Sequence, residues 1–205
     1  MPTTVPIAAT QEARLWTAEE FLESLEPGMH ADLIGGDKFM HSPVNLRHAD
    51  LLNFLDRLLA GYIETKKFGR LYREVVAVRL SLRNVFLPDL AYFTPDQVAR
   101  LQRTYAPFAP TFVVEALSPW TGDRDLGPKF AEYEEHGVQE YWVLDPEALV
   151  HRFFRREGDR LAEFAHGDEV IVAQSIPGFW VRRAWLNPDK LPEVAPCLAE
   201  VLAGR

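Results

Sequence analysis

The chain has 205 residues, of which 47% are hydrophobic and 25% charged, and these fractions are those of a globular protein long enough to bury a core. The formal net charge of −8 argues against a general nucleic-acid coat, and no apolar run approaches the roughly 20 residues that a membrane span needs. One cysteine, Cys197, excludes an internal disulfide, and the N-terminus lacks a signal-peptide pattern. We therefore expect a cytoplasmic protein that makes no use of a membrane, with a disordered lead-in over residues 1–13 and a single domain over residues 14–205.

Helix signals occur in four places along the chain. Thr17 and Glu20 form a capping box that begins a short helix, and apolar residues at helical spacing predict a long helix over residues 46–66. Thr94-Pro95 opens a third, short helix, and a fourth is predicted over residues 124–136.

Strand signals lie between these helices. Gly35-Gly36 marks a tight hairpin. Runs rich in β-branched residues predict four strands, over residues 71–82, 85–94, 112–118 and 139–145. Three further runs predict an antiparallel meander, over residues 151–157, 160–166 and 169–175. This order of elements predicts a fold of the α/β or α+β class, with one mixed central β-sheet flanked by helices.

Two acidic residues lie within apolar runs, where a carboxylate is unexpected. Glu115 lies in FVVEAL, and Asp89 lies in VFLPDLAYF. A buried charge costs several kcal/mol unless it is paired, protonated or bound to a metal. If the two strands are neighbours, the carboxylates can converge, and a hard cation such as Mg²⁺ is the natural counter-charge. The alternative is a pair of strand-end acids that point to solvent or form ion pairs with Arg79 or Arg83.

A lysine follows on the next predicted helix. Lys129 has Tyr133 four residues further on, one helical turn away on the same face. An ammonium group there could orient a nucleophilic water and offset the charge that builds on a phosphate. We expect the ring of Tyr133 to pack in the core, with its hydroxyl near the site.

Other prominent residues have simpler structural explanations. His41, His48 and His136 lack a metal-ligand spacing, so we expect capping or surface histidines. Tyr141 and Trp142 are expected in the core of the sheet rather than on a base-stacking platform.

Several motifs together resemble the Uma2 family, which is described as a family of restriction-type endonucleases and is assigned to the PD-(D/E)xK nuclease superfamily. The resemblance covers roughly residues 17–180, and its most specific part is the block over residues 114–146. The motifs that carry it are DLIGG at residues 32–36, PD at 88–89, VEALSP at 114–119, and Asp125, Lys129 and Tyr133 followed by GVQEYWVLDP at 137–146. The resemblance implies a restriction-endonuclease-like fold and a phosphodiesterase site that depends on Mg²⁺ or Mn²⁺.

The same resemblance implies roles for four residues. Asp89 would be the motif aspartate and Glu115 the motif glutamate, and both would be metal ligands. Leu117 stands where the superfamily motif has its lysine, and Lys129 stands where the family places it, on the following helix. Asp32 stands where the family has a glutamate in its first hairpin. It would hold the metal or a metal-bound water, or else be a turn residue.

The residues and the resemblance together predict a Mg²⁺-dependent DNA endonuclease. Residues 57–83 contain seven lysines and arginines against two acids, and this stretch is either a solvated face or a surface that contacts DNA phosphates. The resemblance is also compatible with a homodimer. Two alternatives stay open. One is a nuclease-like fold without catalysis, acting as a nucleic-acid-binding or regulatory module. The other is a metal-dependent phosphodiesterase for a small substrate.

Overall fold

The computed structural model describes residues 14–26, 28–41, 45–74, 76–118 and 122–204, so the predicted lead-in over residues 1–13 lies outside it. The helices are α1 (Ala18–Glu23), α2 (Leu46–Lys66), α3 (Pro95–Val98), α4 (Gly122–Asp125), α5 (Pro128–Glu135) and α6 (Val194–Ala203), with short 3-10 helices over Arg183–Leu186 and Pro188–Lys190. The first seven strands are β1 (Ala31–Ile34), β2 (Asp37–Met40), β3 (Arg70–Arg73), β4 (Ala77–Arg79), β5 (Val85–Phe86), β6 (Leu90–Phe93) and β7 (Tyr105–Ala106). The remaining strands are β8 (Phe112–Ala116), β9 (Glu140–Leu144), β10 (Arg152–Glu157), β11 (Arg160–Glu163), β12 (Val170–Val172) and β13 (Trp180–Arg182).

The strands form a six-stranded sheet, a five-stranded sheet and a two-stranded sheet. The six-stranded sheet has the order β11-β10-β9-β8-β6-β3, in which β8 and β9 run parallel and the other pairs antiparallel. The five-stranded sheet has the order β2-β1-β5-β4-β7, and β12 pairs with β13. The predicted mixed α/β class is therefore confirmed, whereas the prediction of one sheet is wrong.

The extra sheet arises because two predicted strands are each split in two. Residues 71–82 supply β3 to the six-stranded sheet and β4 to the five-stranded sheet, and Glu74 between them has a positive φ of 49°. Residues 85–94 supply β5 and β6, which also belong to different sheets, and Pro88 between them has no N–H for a ladder. Asp89 consequently lies just before a strand, where the chain passes from one sheet to the other.

Two other predicted elements also differ in the structure. The helix expected over residues 124–136 is two helices, α4 and α5, separated at Gly127. A Cβ on Gly127 would lie 2.5 Å from the Asp123 carbonyl oxygen, so the close turn between these helices requires glycine. The third run of the expected meander, β12, pairs with β13 instead of β11.

The six-stranded sheet buries both of its faces. Side chains alternate across a strand, so Val114, Trp142 and Leu144 face the core that includes α2. The buried leucines of α2 are those that predicted this helix: Leu51, Leu52, Leu55, Leu58 and Leu59. Val113 and Tyr141 face the opposite side, where α5 packs. No helix in the described part of the chain combines the length and apolarity needed to cross a membrane.

Candidate active site

Strand alternation directs Glu115 toward helix α5. Glu115 is two residues from Val113, so it points to the same face of β8, and it is only 3% exposed. On α5, the Lys129 Nζ lies 2.7 Å from the Glu115 Oε1, and the Tyr133 hydroxyl donates a 3.0 Å hydrogen bond to the same oxygen. The ring of Tyr133 is fully buried, as expected. The carboxylate in the apolar run is therefore paired with a buried cation.

Lys129 binds two further carboxylates. Its Nζ lies 3.3 Å from the Asp32 Oδ2 and 3.3 Å from the Asp125 Oδ1. All these side chains are buried. Asp32 therefore faces the site instead of being a turn residue on the surface. Arg79 pairs with Glu19, so the alternative in which Arg79 neutralises the site acids is wrong.

The carboxylates of Asp89 and Glu115 each approach a backbone N–H at or next to the other residue. The Ala116 N–H donates to the Asp89 Oδ2 at 2.7 Å, and the Asp89 N–H lies 3.4 Å from the Glu115 Oε2. Strand β6 pairs with β8 in the register Leu90 to Val114, which sets this proximity. The structure thus brings together all four residues that the sequence singled out: Asp32, Asp89, Glu115 and Lys129.

Burial and charge set the ionisation of this cluster. Burial raises the pKa of Glu115 to about 8, because loss of water and the neighbouring carboxyl groups together outweigh the attraction of Lys129. Burial likewise raises the pKa of Asp89 to about 7. Burial also acts to raise the pKa of Asp32, but the Lys129 charge and His41 overcome it and hold that pKa at about 2. The pKa of Lys129 is raised well above its usual value, since the attraction of Asp32 and the other carboxylates outweighs the effect of burial.

Three members of the site had no role assigned to them from the sequence. Asp125 precedes Lys129 by four residues, and this helical spacing was a usable signal. The His41 Nε2 lies 3.1 Å from the Asp32 Oδ2. Phe39 pairs with Asp32 across the hairpin, and His41 is two residues beyond Phe39. Because side chains alternate along a strand, this spacing could have predicted that His41 lies on the same face as Asp32.

The third of these residues is His48. It is buried in the first turn of α2, with its Nε2 3.9 Å from the Asp89 Oδ2. Burial lowers its pKa, and the nearby Leu117 backbone partly offsets this effect. The expectation of capping or surface histidines is therefore wrong for His41 and His48, because tertiary packing turns both toward the site. His136 is the C-cap residue of α5, as expected.

The donor set is suited to a hard divalent cation that also binds water and substrate. Among the residues with a described placement, no group of three or more His, Cys, Asp or Glu side chains is arranged to hold a metal ion. Asp89 and Glu115 nevertheless supply two adjacent carboxyl groups. Mg²⁺ is usually bound by one or two carboxylates, with waters and phosphate oxygens completing its shell. The pair therefore fits Mg²⁺ or Mn²⁺ better than a metal that needs a full cage of protein ligands.

The basic stretch is spread over three elements. Arg73 is in contact with Glu74, and Arg79 with Glu19. Lys66, Lys67 and Arg70 are exposed and lie near the C-terminal end of α2. His48 lies at the other end of α2, and the 18 residues from there to Lys66 span about 27 Å at about 1.5 Å per residue. Lys66 is therefore distant from the acidic cluster.

Comparison with known proteins first defines the class of fold. The crystal structure of a "putative nuclease belonging to DUF820 from Anabaena variabilis ATCC 29413" superposes with a TM-score of 0.70 at 18% sequence identity, covering 83% of this chain and 96% of that chain. At this identity the likeness shows a shared fold. The family model "Uma2: Putative restriction endonuclease" matches residues 18–187, so the chain belongs to the Uma2 family, as its motifs predicted. No curated protein matches the sequence. Family membership supports a nuclease function.

Proposed function

We propose that this protein is a Mg²⁺- or Mn²⁺-dependent DNA endonuclease that hydrolyses phosphodiester bonds at the acidic cluster. The observation that carries the proposal is the pair formed by the half-buried Asp89 and the buried Glu115, both with raised pKa values, beside the buried ammonium of Lys129. Perturbed carboxyl groups next to a fixed cation are typical of catalytic sites and are costly to keep for structure alone.

Asp89 and Glu115 would hold the cation. Both are desolvated, Glu115 contacts Lys129 together with Asp32 and Asp125, and Asp89 adds a fourth carboxyl group beside this cluster. A divalent ion held by the pair would offset the charge that Lys129 alone leaves unbalanced. When bound, such an ion polarises a phosphoryl oxygen and lowers the pKa of a bound water.

Lys129 would act as a fixed positive charge. Because its pKa is raised, the group keeps its proton at neutral pH and cannot serve as a general base. Its charge would instead stabilise the negative charge that grows as the water oxygen bonds to phosphorus and the bond to the leaving oxygen breaks, and an N–H released from one of its three carboxylate partners would orient the water. Asp32 holds Lys129 charged and in place at 3.3 Å, so we give Asp32 a positioning role in catalysis.

A cleavage assay with matched variants tests this proposal. Supercoiled, linear and single-stranded DNA are incubated with Mg²⁺, Mn²⁺ or EDTA. Glu115→Gln and Asp89→Asn should each abolish the cation-dependent cleavage. Glu140→Gln is the matched control, since Glu140 is a fully buried glutamate on the adjacent strand β9 and lies outside the cluster. Glu140→Gln should cleave like the wild type, and wild-type cleavage by Glu115→Gln would refute the proposal.

A second candidate is a nuclease-like module that binds nucleic acid without cutting it. Its support is the engagement of Lys129 by three carboxylates, which occupies the ammonium group. This candidate predicts DNA binding that is indifferent to Mg²⁺ and to Asp89→Asn, with no cleavage of any DNA form. Cleavage of bis(p-nitrophenyl) phosphate without cleavage of DNA would instead favour a small phosphodiester substrate.

DNA would meet the protein through local basic groups, because the net charge is −8. Lys66, Lys67 and Arg70 are the exposed members of the basic stretch that are grouped at the end of α2. We include them in the proposed DNA surface. A homodimer also belongs to the proposal, and light scattering of the purified chain measures it directly.

A further inference from the structure

His48 is a buried polar side chain whose ring makes no hydrogen bond of normal geometry. The residue is 4% exposed, and the backbone of Leu117 lies near the ring, but within the described parts of the chain neither ring nitrogen meets the distance and angle of a hydrogen bond. Leaving a buried polar group unpaired is costly, because the group has lost its hydrogen bonds to water. Such a group in a folded protein therefore calls for an explanation, and one explanation is a partner that arrives with a ligand.

The backbone of α2 fixes where His48 lies. Its N–H donates to the Asn45 Oδ1 at 2.9 Å, and the Asn45 Nδ2 donates to Glu147 at 2.7 Å. The Arg47 guanidinium donates to the Pro146 carbonyl oxygen at 2.7 and 3.1 Å. These bonds tie the first turn of α2 to the segment that follows β9. The ring of His48 is consequently held beside Asp89 without using its own nitrogens.

The geometry leaves His48 just short of a hydrogen bond to Asp89. Its Nε2 lies 3.9 Å from the Asp89 Oδ2, whereas a hydrogen bond needs about 2.7–3.2 Å, so a shift of about 1 Å closes the gap. The Ala116 N–H already donates to the same oxygen at 2.7 Å. A second donor there would restrain the carboxylate from two directions. Hydrogen bonds to an ionised carboxylate are also stronger than those to a neutral one.

We propose that His48 is a positioning residue for the divalent cation, in that its Nε2–H donates to the Asp89 Oδ2 and restrains the carboxylate that would hold the ion. This inference rests on the proposed function and names a residue that the sequence motifs did not assign to the site. Carboxylates that bind metals are themselves hydrogen-bonded, and removal of such a partner typically weakens metal binding by about 10–100-fold.

The test measures Mn²⁺ binding to the full-length protein by isothermal titration calorimetry, without substrate. The Nε2 of His48→Gln reaches the position of the imidazole Nε2, whereas the amide of His48→Asn reaches only that of Nδ1, and His48→Leu has no donor. We expect His48→Gln to bind Mn²⁺ within about threefold of the wild type, and His48→Asn and His48→Leu to bind about 10–100-fold more weakly. Melting temperatures of each variant without Mn²⁺ report any structural effect separately.

Each outcome decides between a positioning role and a packing role. If His48→Leu shifts the melting temperature but binds Mn²⁺ like the wild type, the ring serves packing and the inference is wrong. If His48→Leu does not fold, equal affinities of His48→Gln and His48→Asn overturn it. Asp89→Asn is the reference for loss of the site. If the wild type binds no Mn²⁺, the cation is not part of the function and the inference fails with it. If the wild type and His48→Leu bind Mn²⁺ equally well and Asp89→Asn does not bind it, only the inference about His48 is overturned.

Discussion

Without a divalent cation, the protein should lose stability as the pH rises from 6.5 to 8.5. Burial raises the pKa of Glu115 from 4.5 to about 8 and that of Asp89 from 3.8 to about 7. A carboxyl group with a raised pKa in the folded chain contributes stability that is fully present below its unfolded pKa and is lost as the pH rises through its folded pKa. At pH 6.5 the unfolded chain has already released these protons, so each further step toward pH 8 costs folding stability.

The expected size follows from the proton of Glu115, whose raised pKa is the higher of the two. The interval from pH 6.5 to about 8 is about 1.5 units, and each unit is worth about 1.4 kcal/mol, so the loss is about 2 kcal/mol. For a chain of this length that corresponds to a fall of about 4–8 °C in melting temperature. Burial lowers the pKa values of His48 and His151. Their contribution makes folding stability rise with pH, but mainly below pH 6.5. Asp32, with a pKa of about 2, stays ionised throughout it.

Scanning fluorimetry in EDTA at pH 6.5, 7.5 and 8.5 measures this loss, and Glu115→Gln is the control. The Gln variant keeps the shape of the protonated side chain and should show a much flatter profile. His41 has a raised pKa, because Asp32 outweighs the effect of burial, and the small decrease that it adds should persist in the Gln variant. Mn²⁺ should stabilise the wild type more at pH 8.5 than at pH 6.5, since binding displaces protons. A wild-type profile that is flat or rises with pH would refute the reasoning.

Three other perturbations test the cluster and the basic surface. Lys129→Met should abolish cleavage and cost roughly 3–5 kcal/mol in urea denaturation, because it leaves buried carboxylates without their cation; a loss below about 1 kcal/mol would mean that the ion cluster does not form. Tyr133→Phe removes the hydroxyl bound to Glu115 and should cost about 1–3 kcal/mol in the same assay, and an unchanged stability would contradict that hydrogen bond. Neutralising Lys66, Lys67 and Arg70 should reduce the salt dependence of DNA binding, measured by fluorescence anisotropy, by about 0.9 in slope for each lost phosphate contact; an unchanged slope would make this an ordinary solvated surface.

Local signals in the sequence were sufficient for the elements that depend on local structure. Helix α2 spans Leu46–Lys66, as its leucine spacing predicted, and Gly35-Gly36 forms the predicted turn between β1 and β2. Both glycines have positive φ angles, which explains why this residue type marks the turn. The splits at Glu74 and Pro88 could not be predicted in the same way, because the change of sheet depends on which distant strands are available for pairing.

The site residues that could be predicted from the sequence are those whose charge is unexpected among their apolar neighbours in the chain. Asp89 and Glu115 stood out because a carboxylate in an apolar run requires a partner. His41 and His48 gave no such conflict, since histidine is common at both surface and buried positions. Their proximity to Asp32 and Asp89 results from contacts between the hairpin, α2 and the two sheets. A single sequence contains these contacts only implicitly.

The position of the cluster between the two sheets links its chemistry to the fold. Asp32 comes from the five-stranded sheet and Glu115 from the six-stranded sheet, and Lys129 on α5 contacts both. The Asp32 Oδ1 also accepts a 2.7 Å hydrogen bond from the Leu87 N–H, in the segment where the chain passes between the sheets. Because the same carboxylate binds the lysine with one oxygen and the crossing backbone with the other, a displacement of one sheet against the other would alter the surroundings of the Lys129 ammonium. The charge arrangement proposed for catalysis is therefore held by the contact between the sheets, and the folding stability of the protein and the geometry of the site should respond together to substitutions there.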